Sequence, residues 1–195
     1  MAVFTASVIA SLDDAYCNGD GTNFQGGAWY LVLGNSVSQT NNGMRFQNVT
    51  IPQGSTINSA KITFVNHSGG ASTITLQIPI YCEAVDNATV FANSSGNKPT
   101  DKTRTSTYTI WNPNSSWLTG ATKQTVDFSQ QVQEVIDRTG WVSGNSLVVI
   151  FGTITTGSAS AYPATYDNPT YAAPIIEIDY TPPVTDESNG GEYGS

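Results

Sequence analysis

Charged side chains are scarce in this chain and basic ones scarcer still: seven Lys and Arg stand against fifteen Asp and Glu in 195 residues, a formal charge of −8. No Lys/Arg cluster exists to displace counterions from a phosphate backbone, which argues against nucleic acid and against an anionic membrane surface as partners. There is one histidine, His67, in a turn-like Ser68-Gly69-Gly70 context that suits a solvated side chain. Nucleophile-elbow, zinc-protease and phosphate-loop motifs are all missing. No apolar run approaches the ~20 residues of a membrane-spanning helix. The start, Met1-Ala2-Val3-Phe4-Thr5, lacks a basic or long apolar leader, so the chain is expected to be made and kept in a cytoplasm. Two cysteines, Cys17 and Cys82, allow one bridge at most. Closing that loop would be worth roughly 4 kcal/mol in the chain-entropy model. In a reducing compartment two buried thiols are the expectation, with oxidation in a released particle as the alternative.

What is abundant is Ser, Thr, Asn, Gly and aromatic rings, arranged in short alternating runs. The most informative stretch is 43–65. Met44 and Phe46 point one way and Arg45 and Gln47 the other, a corner follows at Ile51-Pro52-Gln53-Gly54-Ser55, and Ile57, Ala60, Ile62 and Phe64 open a second extended run. Pro52 presets φ where the turn begins and Gly54 can take positive φ. Two half-buried strands cannot stand alone, so the rest of the chain must pair with both.

These residues carry a resemblance. Arg45-Phe46, then Val49-x-Ile51-Pro52-x-Gly54-x-Thr56-Ile57-x-Ser59-Ala60-x-Ile62, resembles the signature of DNRLRE-type β-sandwich modules, which are similar to carbohydrate-binding jelly rolls. Asp14-Ala15-Tyr16, 83–87, Trp111, Trp117, 132–141, Tyr166-Asp167 and 173–180 extend the likeness over most of the chain. It implies a fold more than a function, since one sandwich hosts many unrelated sites.

Along the chain, strands are expected over 2–10, 12–17, 29–33, 73–83, 103–111, 146–151 and 173–180. Pro79 lacks a ladder donor and suggests an edge or a bulge. Residues 84–102 read as a long loop. Val132, Val135 and Ile136 form a helical stripe over about 129–138, with Asp127 or Ser129 as cap and Gly140 at the far end. The expectation is therefore an all-β fold, a jelly-roll-like two-sheet antiparallel β-sandwich with one short α-helix. Residues 1–180 form its single domain, and 181–195 form a flexible C-terminal arm.

For chemistry, Glu83 and Asp86 offer the paired carboxylates of a glycoside hydrolase, but a spacing of three residues at a strand end suits structural roles better, and no enzyme is expected. Asp14 and Asp20 supply hard oxygens for a structural calcium, as the resemblance also implies; no other cofactor is indicated. Trp111, Trp117, Tyr162, Tyr166 and Tyr171 lie at turns or in the late aromatic segment and could stack on a sugar or a protein partner, and Tyr193 could anchor the arm. Sandwich packing is the competing explanation for Trp111 and Trp117. Trp29 and Trp141 read as core.

Two functions follow as expectations. The first is a virion structural protein, a bacteriophage capsid decoration or fibre subunit that contacts capsid or other virion proteins and self-associates. The second is a carbohydrate-binding module holding a polysaccharide on loop and sheet-face aromatics.

Overall fold

The computed structural model describes residues 1–34, 39–68, 76–113, 116–157 and 159–184. Strands follow along the chain as β1 (Ala2–Ser7), β2 (Asp14–Cys17), β3 (Gln25–Gly26), β4 (Leu33–Gly34), β5 (Asn41–Phe46) and β6 (Thr56–Ser68). Then come β7 (Ile78–Cys82), β8 (Thr109–Trp111), β9 (Thr122–Gln124), helix α1 (Ser129–Ile136), β10 (Leu147–Phe151), β11 (Ser160–Pro163) and β12 (Ile175–Thr181). They form two antiparallel sheets. One runs β1-β12-β6-β11-β4, with β9 also on β6; the other runs β3-β2-β5-β10-β7-β8. The expected two-sheet β-sandwich with one short helix is what the chain forms.

The corner at 47–55 carries the chain from one sheet to the other, because β5 and β6 belong to different sheets. Asn48 takes a φ of 53° and Gly54 one of 77°. The left-handed Asn48 breaks the alternation, so Val49, which simple period-two counting would turn outward, is fully buried. In β6, Ile57 and Ala60 are three residues apart yet both face the core. The register against β12 shifts between Asp179 and Tyr180, and that irregularity absorbs the odd residue.

Between the sheets lies an aromatic box. Phe64 stacks on Trp111 at 5.9 Å and meets Phe151 at 5.5 Å and Trp117 at 6.2 Å. Helix α1 lays Val132, Val135 and Ile136 on this core and is pinned by the Ile57 N–H donating to Gln133 Oε1 (2.7 Å). It ends at Ile136, so Gly140 is not its cap. Gly140 is required instead by the Asp86 carboxylate, which would lie 2.1 Å from a Cβ there.

β7 is an interior strand between β10 and β8, not an edge. Pro79 is tolerated because it sits just beyond the last β7–β10 pair, Phe151 with Ile80, where only its carbonyl is used, by the Gly152 N–H (2.9 Å). The long connection from β7 to β8 covers the outer face of the second sheet. Phe91 and Ala88 pack there on Ala15, Val148 and Ile150, and Phe91 lies so close to Gly43 that a Cβ would be 2.3 Å from its ring.

Candidate functional site: an aromatic patch at one end of the sandwich

The patch is assembled by three segments. The stretch between β3 and β4 brings Trp29 and Tyr30, the end of β6 brings His67, and β11 with the loop after it brings Tyr162, Tyr166 and Tyr171. Backbone pairing holds them together. Leu31 N–H donates to Pro163 O (2.8 Å), Tyr30 bridges Ala164, Thr165 N–H reaches Trp29 O (3.3 Å), and the Thr165 hydroxyl donates to Ala28 O. Tyr30 stacks on His67 at 5.3 Å and meets Tyr162 edge-on at 5.5 Å, while His67 meets Tyr171 at 6.5 Å. Trp29 is 57 % exposed and Tyr166 48 %, so two large ring systems remain open to solvent.

Asn168 organises the polar half. Its Oδ1 accepts the N–H groups of Thr170 (3.0 Å) and Tyr171 (2.8 Å), which fixes the amide's orientation. Nδ2 then donates to Trp29 O (2.8 Å) and to His67 Nδ1 (2.7 Å). An amide nitrogen cannot accept, so His67 Nδ1 is the acceptor and the imidazole carries its proton on Nε2. Tyr16 closes the back of the cluster. Its phenol is pushed up from the ordinary value by burial and then by the neighbouring Tyr30 and Tyr162.

The loop bearing Tyr166 is tied to the sandwich by Asp14. Its Oδ2 accepts the Tyr166 N–H (2.8 Å), while Oδ1 is buried without a hydrogen-bond partner, as is Oδ2 of Asp167. Burial, opposed by the Tyr166 N–H and reinforced by Asp167 and Asp13, raises the Asp14 carboxyl to about 7. Asp13 points elsewhere, at 2.8 Å from Arg45 Nη1 and 2.5 Å from Gln47 Nε2.

Several sequence expectations change here. Trp111 and Trp117 are 2 % and 0 % exposed, so neither can offer a face to a sugar; both belong to the aromatic box, and Trp117 Nε1 donates to Ala121 O (2.9 Å). Trp29, read as core, is instead the most open ring of the patch. Trp141 is core as expected, donating to Ile51 O (2.9 Å). Tyr162, Tyr166 and Tyr171 do come together, whereas Tyr193 lies outside the described residues.

Asp14 and Asp20 are engaged separately, Asp14 by the Tyr166 N–H. Asp20 is exposed and closes its own loop by accepting the Thr22 N–H (2.9 Å) and hydroxyl (2.7 Å), which lowers its carboxyl. Among the described residues no three His, Cys, Asp or Glu side chains converge. Nor can Cys17 reach Cys82. Both are free thiols, and β2 and β7 are separated by β5 and β10, a lateral distance of about 14 Å where a bridge needs Cα atoms within about 7 Å. Their side chains also leave opposite faces of the sheet: Cys82 joins the core, whereas Cys17 follows the outward-facing Ala15 by two residues and approaches Thr100.

Glu83 and Asp86 are each occupied by a cation, Lys102 at 3.3 Å and Arg138 at 2.6 Å. Other basic residues are engaged internally too. Arg45 holds Asp13, Lys98 donates to Gly21 O, Arg104 to Asn41 and Lys123 to Pro113 O. Lys61 stands across from Glu177 in the β6–β12 ladder. Basic side chains are therefore used to fasten loops to the sandwich.

Fold and patch define an all-β sandwich carrying a surface of open aromatic rings at one end. No family model matches the chain and no curated protein matches it.

Proposed function

We propose that this chain is a non-catalytic binding module whose ligand surface is the aromatic patch, and that its ligand class is neutral polysaccharide. The observation that carries this is the exposure of Trp29 and Tyr166 beside a fixed set of polar groups, His67 Nε2–H and the phenols of Tyr30, Tyr162 and Tyr171. Open rings offer the apolar contact a pyranose face requires, and neighbouring donors and acceptors meet its hydroxyls. The basic residues' internal engagements support the choice of an uncharged ligand.

Affinity electrophoresis against a panel of neutral and acidic polysaccharides tests this. At least one neutral glucan, mannan or galactan should retard the protein, and both Trp29→Ala and Tyr166→Ala should abolish the shift without lowering the melting temperature. Failure of the whole panel would leave the second reading ahead. That reading is a structural virion subunit of decoration or fibre type, favoured by one feature: along the outer face of the first sheet the uncharged Thr5, Ser7, Ser59, Thr63, Thr122 and Gln124 stand among the charged Lys61, Glu177 and Asp179, a broad polar face suited to a protein contact. Recovery of the protein in purified particles would support it.

A further inference from the structure

Every sheet has edges, and among the described residues one of them is long and has no strand on its outer side. β3, β4, β8 and β9 end their sheets with two or three residues each, whereas β1 ends the first sheet with six. Natural edges are usually blunted by charge, proline, a bulge or brevity. Ala2-Val3-Phe4-Thr5-Ala6-Ser7 has no charged residue and no proline, and its register against β12 runs unbroken from Ala2 with Tyr180 to Ser7 with Ile175.

The outward groups can be identified. Val8 N–H donates to Pro174 O (3.1 Å), one step beyond the Ser7–Ile175 pair. In an antiparallel ladder the bonded pairs alternate, so Ala6 and Phe4 direct their N–H and C=O toward β12, and Val3, Thr5 and Ser7 direct theirs away from it.

We infer that β1 pairs antiparallel with β1 of a second copy of this chain, about a two-fold axis at Thr5, joining the two β1-edged sheets into one. The edge is complementary to itself in that register. Thr5 meets Thr5 of the second copy, while Val3 meets Ser7 and Phe4 meets Ala6, so on either side of the axis a large side chain faces a small one. Met1 then faces Ile9. Met1, Val3 and Ile9 are 93 %, 63 % and 55 % exposed, and the odd numbering puts them on one face, where the pairing brings the two sets together. Charge does not oppose it. Among the described residues, the acids of the adjoining strand, Glu177 and Asp179 of β12, are placed three strand spacings from their counterparts, about 14 Å, beyond a screening length of about 8 Å. This inference is independent of what the aromatic patch binds.

Sedimentation equilibrium from micromolar to near-millimolar protein tests it. The intact chain should show a monomer–dimer equilibrium. Thr5→Pro removes only an outward N–H and should weaken dimerisation by at least roughly tenfold while the monomer stays folded. The double variant Val3→Lys with Thr5→Lys provides the same test without touching the backbone and should also be monomeric. A wild-type chain that stays monomeric throughout would overturn the inference, as would a dimer equally tight in the folded double variant.

Discussion

Asp14 is the residue on which conformation and titration meet. Its carboxyl rises from an ordinary 3.8 to about 7, chiefly through burial. Between those values the native state keeps a proton that the unfolded chain has released, so stability falls as pH climbs from about 4 to about 7 and stays at the lower level above. Asp14→Asn should flatten that slope, because an amide can accept the Tyr166 N–H on oxygen and carries no titrating proton. Melting curves in EDTA should show the variant close to wild type near pH 4 and more stable at pH 8. A calcium-induced rise of the wild-type melting temperature at pH 8, lost in the variant, would show that a cation binds at Asp14. A second residue tests the core. Ile78, 1 % exposed, sits in β7 among the packed side chains between the sheets, and Ile78→Asp places an unpaired charge there. Urea denaturation should find a loss of about 4 kcal/mol or more, or no folded protein.

At the scale of elements, the loop between β7 and β8 covers a sheet face without pairing as a strand of that sheet. Phe91 over Gly43, Lys102 on Glu83 and Arg104 on Asn41 hold it. Gly43→Ala puts a methyl into the Phe91 ring, and the ring must leave or the strand must bend. Limited proteolysis should then cut the exposed 93–96 segment faster than in wild type, with amide exchange in the loop rising before that of β10; equal cleavage rates would mean that Phe91 does not hold the loop. Elements of this kind were only partly legible in the sequence. Alternating runs located β5, β6 and β12, a continuous apolar run located β10, and the Pro52 to Gly54 corner was read correctly, because local pattern and turn chemistry determine all of these. What escaped was whatever a distant partner decides. Trp29 sits in an apolar run that imitates a strand, yet Gly27 at φ 76° turns the chain just before it and leaves the ring outside. Trp111 and Trp117 flank a turn that suggests exposure, but the two sheets close over them. Tyr162, Tyr166 and Tyr171 were found because their spacing clusters them already; Tyr30 and His67, from far along the chain, join them only through the Pro163 and Asn168 contacts.

The whole molecule carries a formal charge of −8, and most of its cations are engaged with other groups of the same chain. Arg45–Asp13 and Lys102–Glu83 are largely buried pairs, screened little by added salt, while among the described residues the more exposed ion pair, Arg138–Asp86, belongs to a class worth about 0–1 kcal/mol. What salt reaches is the excess of surface acid. Glu177 and Asp179 share one solvent face of β12, and Asp20, Asp101, Asp127 and Asp137 are exposed on loops and at the helix ends. Their mutual repulsion acts in the compact state and is relieved when the chain expands, so screening should favour the fold. Raising sodium chloride from low to physiological strength at pH 8 is therefore expected to raise the melting temperature by a few degrees. The opposite sign, a melting temperature that falls with salt, would mean that exposed ion pairs hold the sandwich together. The same distribution bears on ligands: heparin and duplex DNA should fail to retain the protein even at low salt, where any cationic surface would be felt most strongly. Retention there, reversed by salt, would require Arg104, Lys102 or Lys98 to leave its internal partner, and would overturn the assignment of those side chains to fastening the loop.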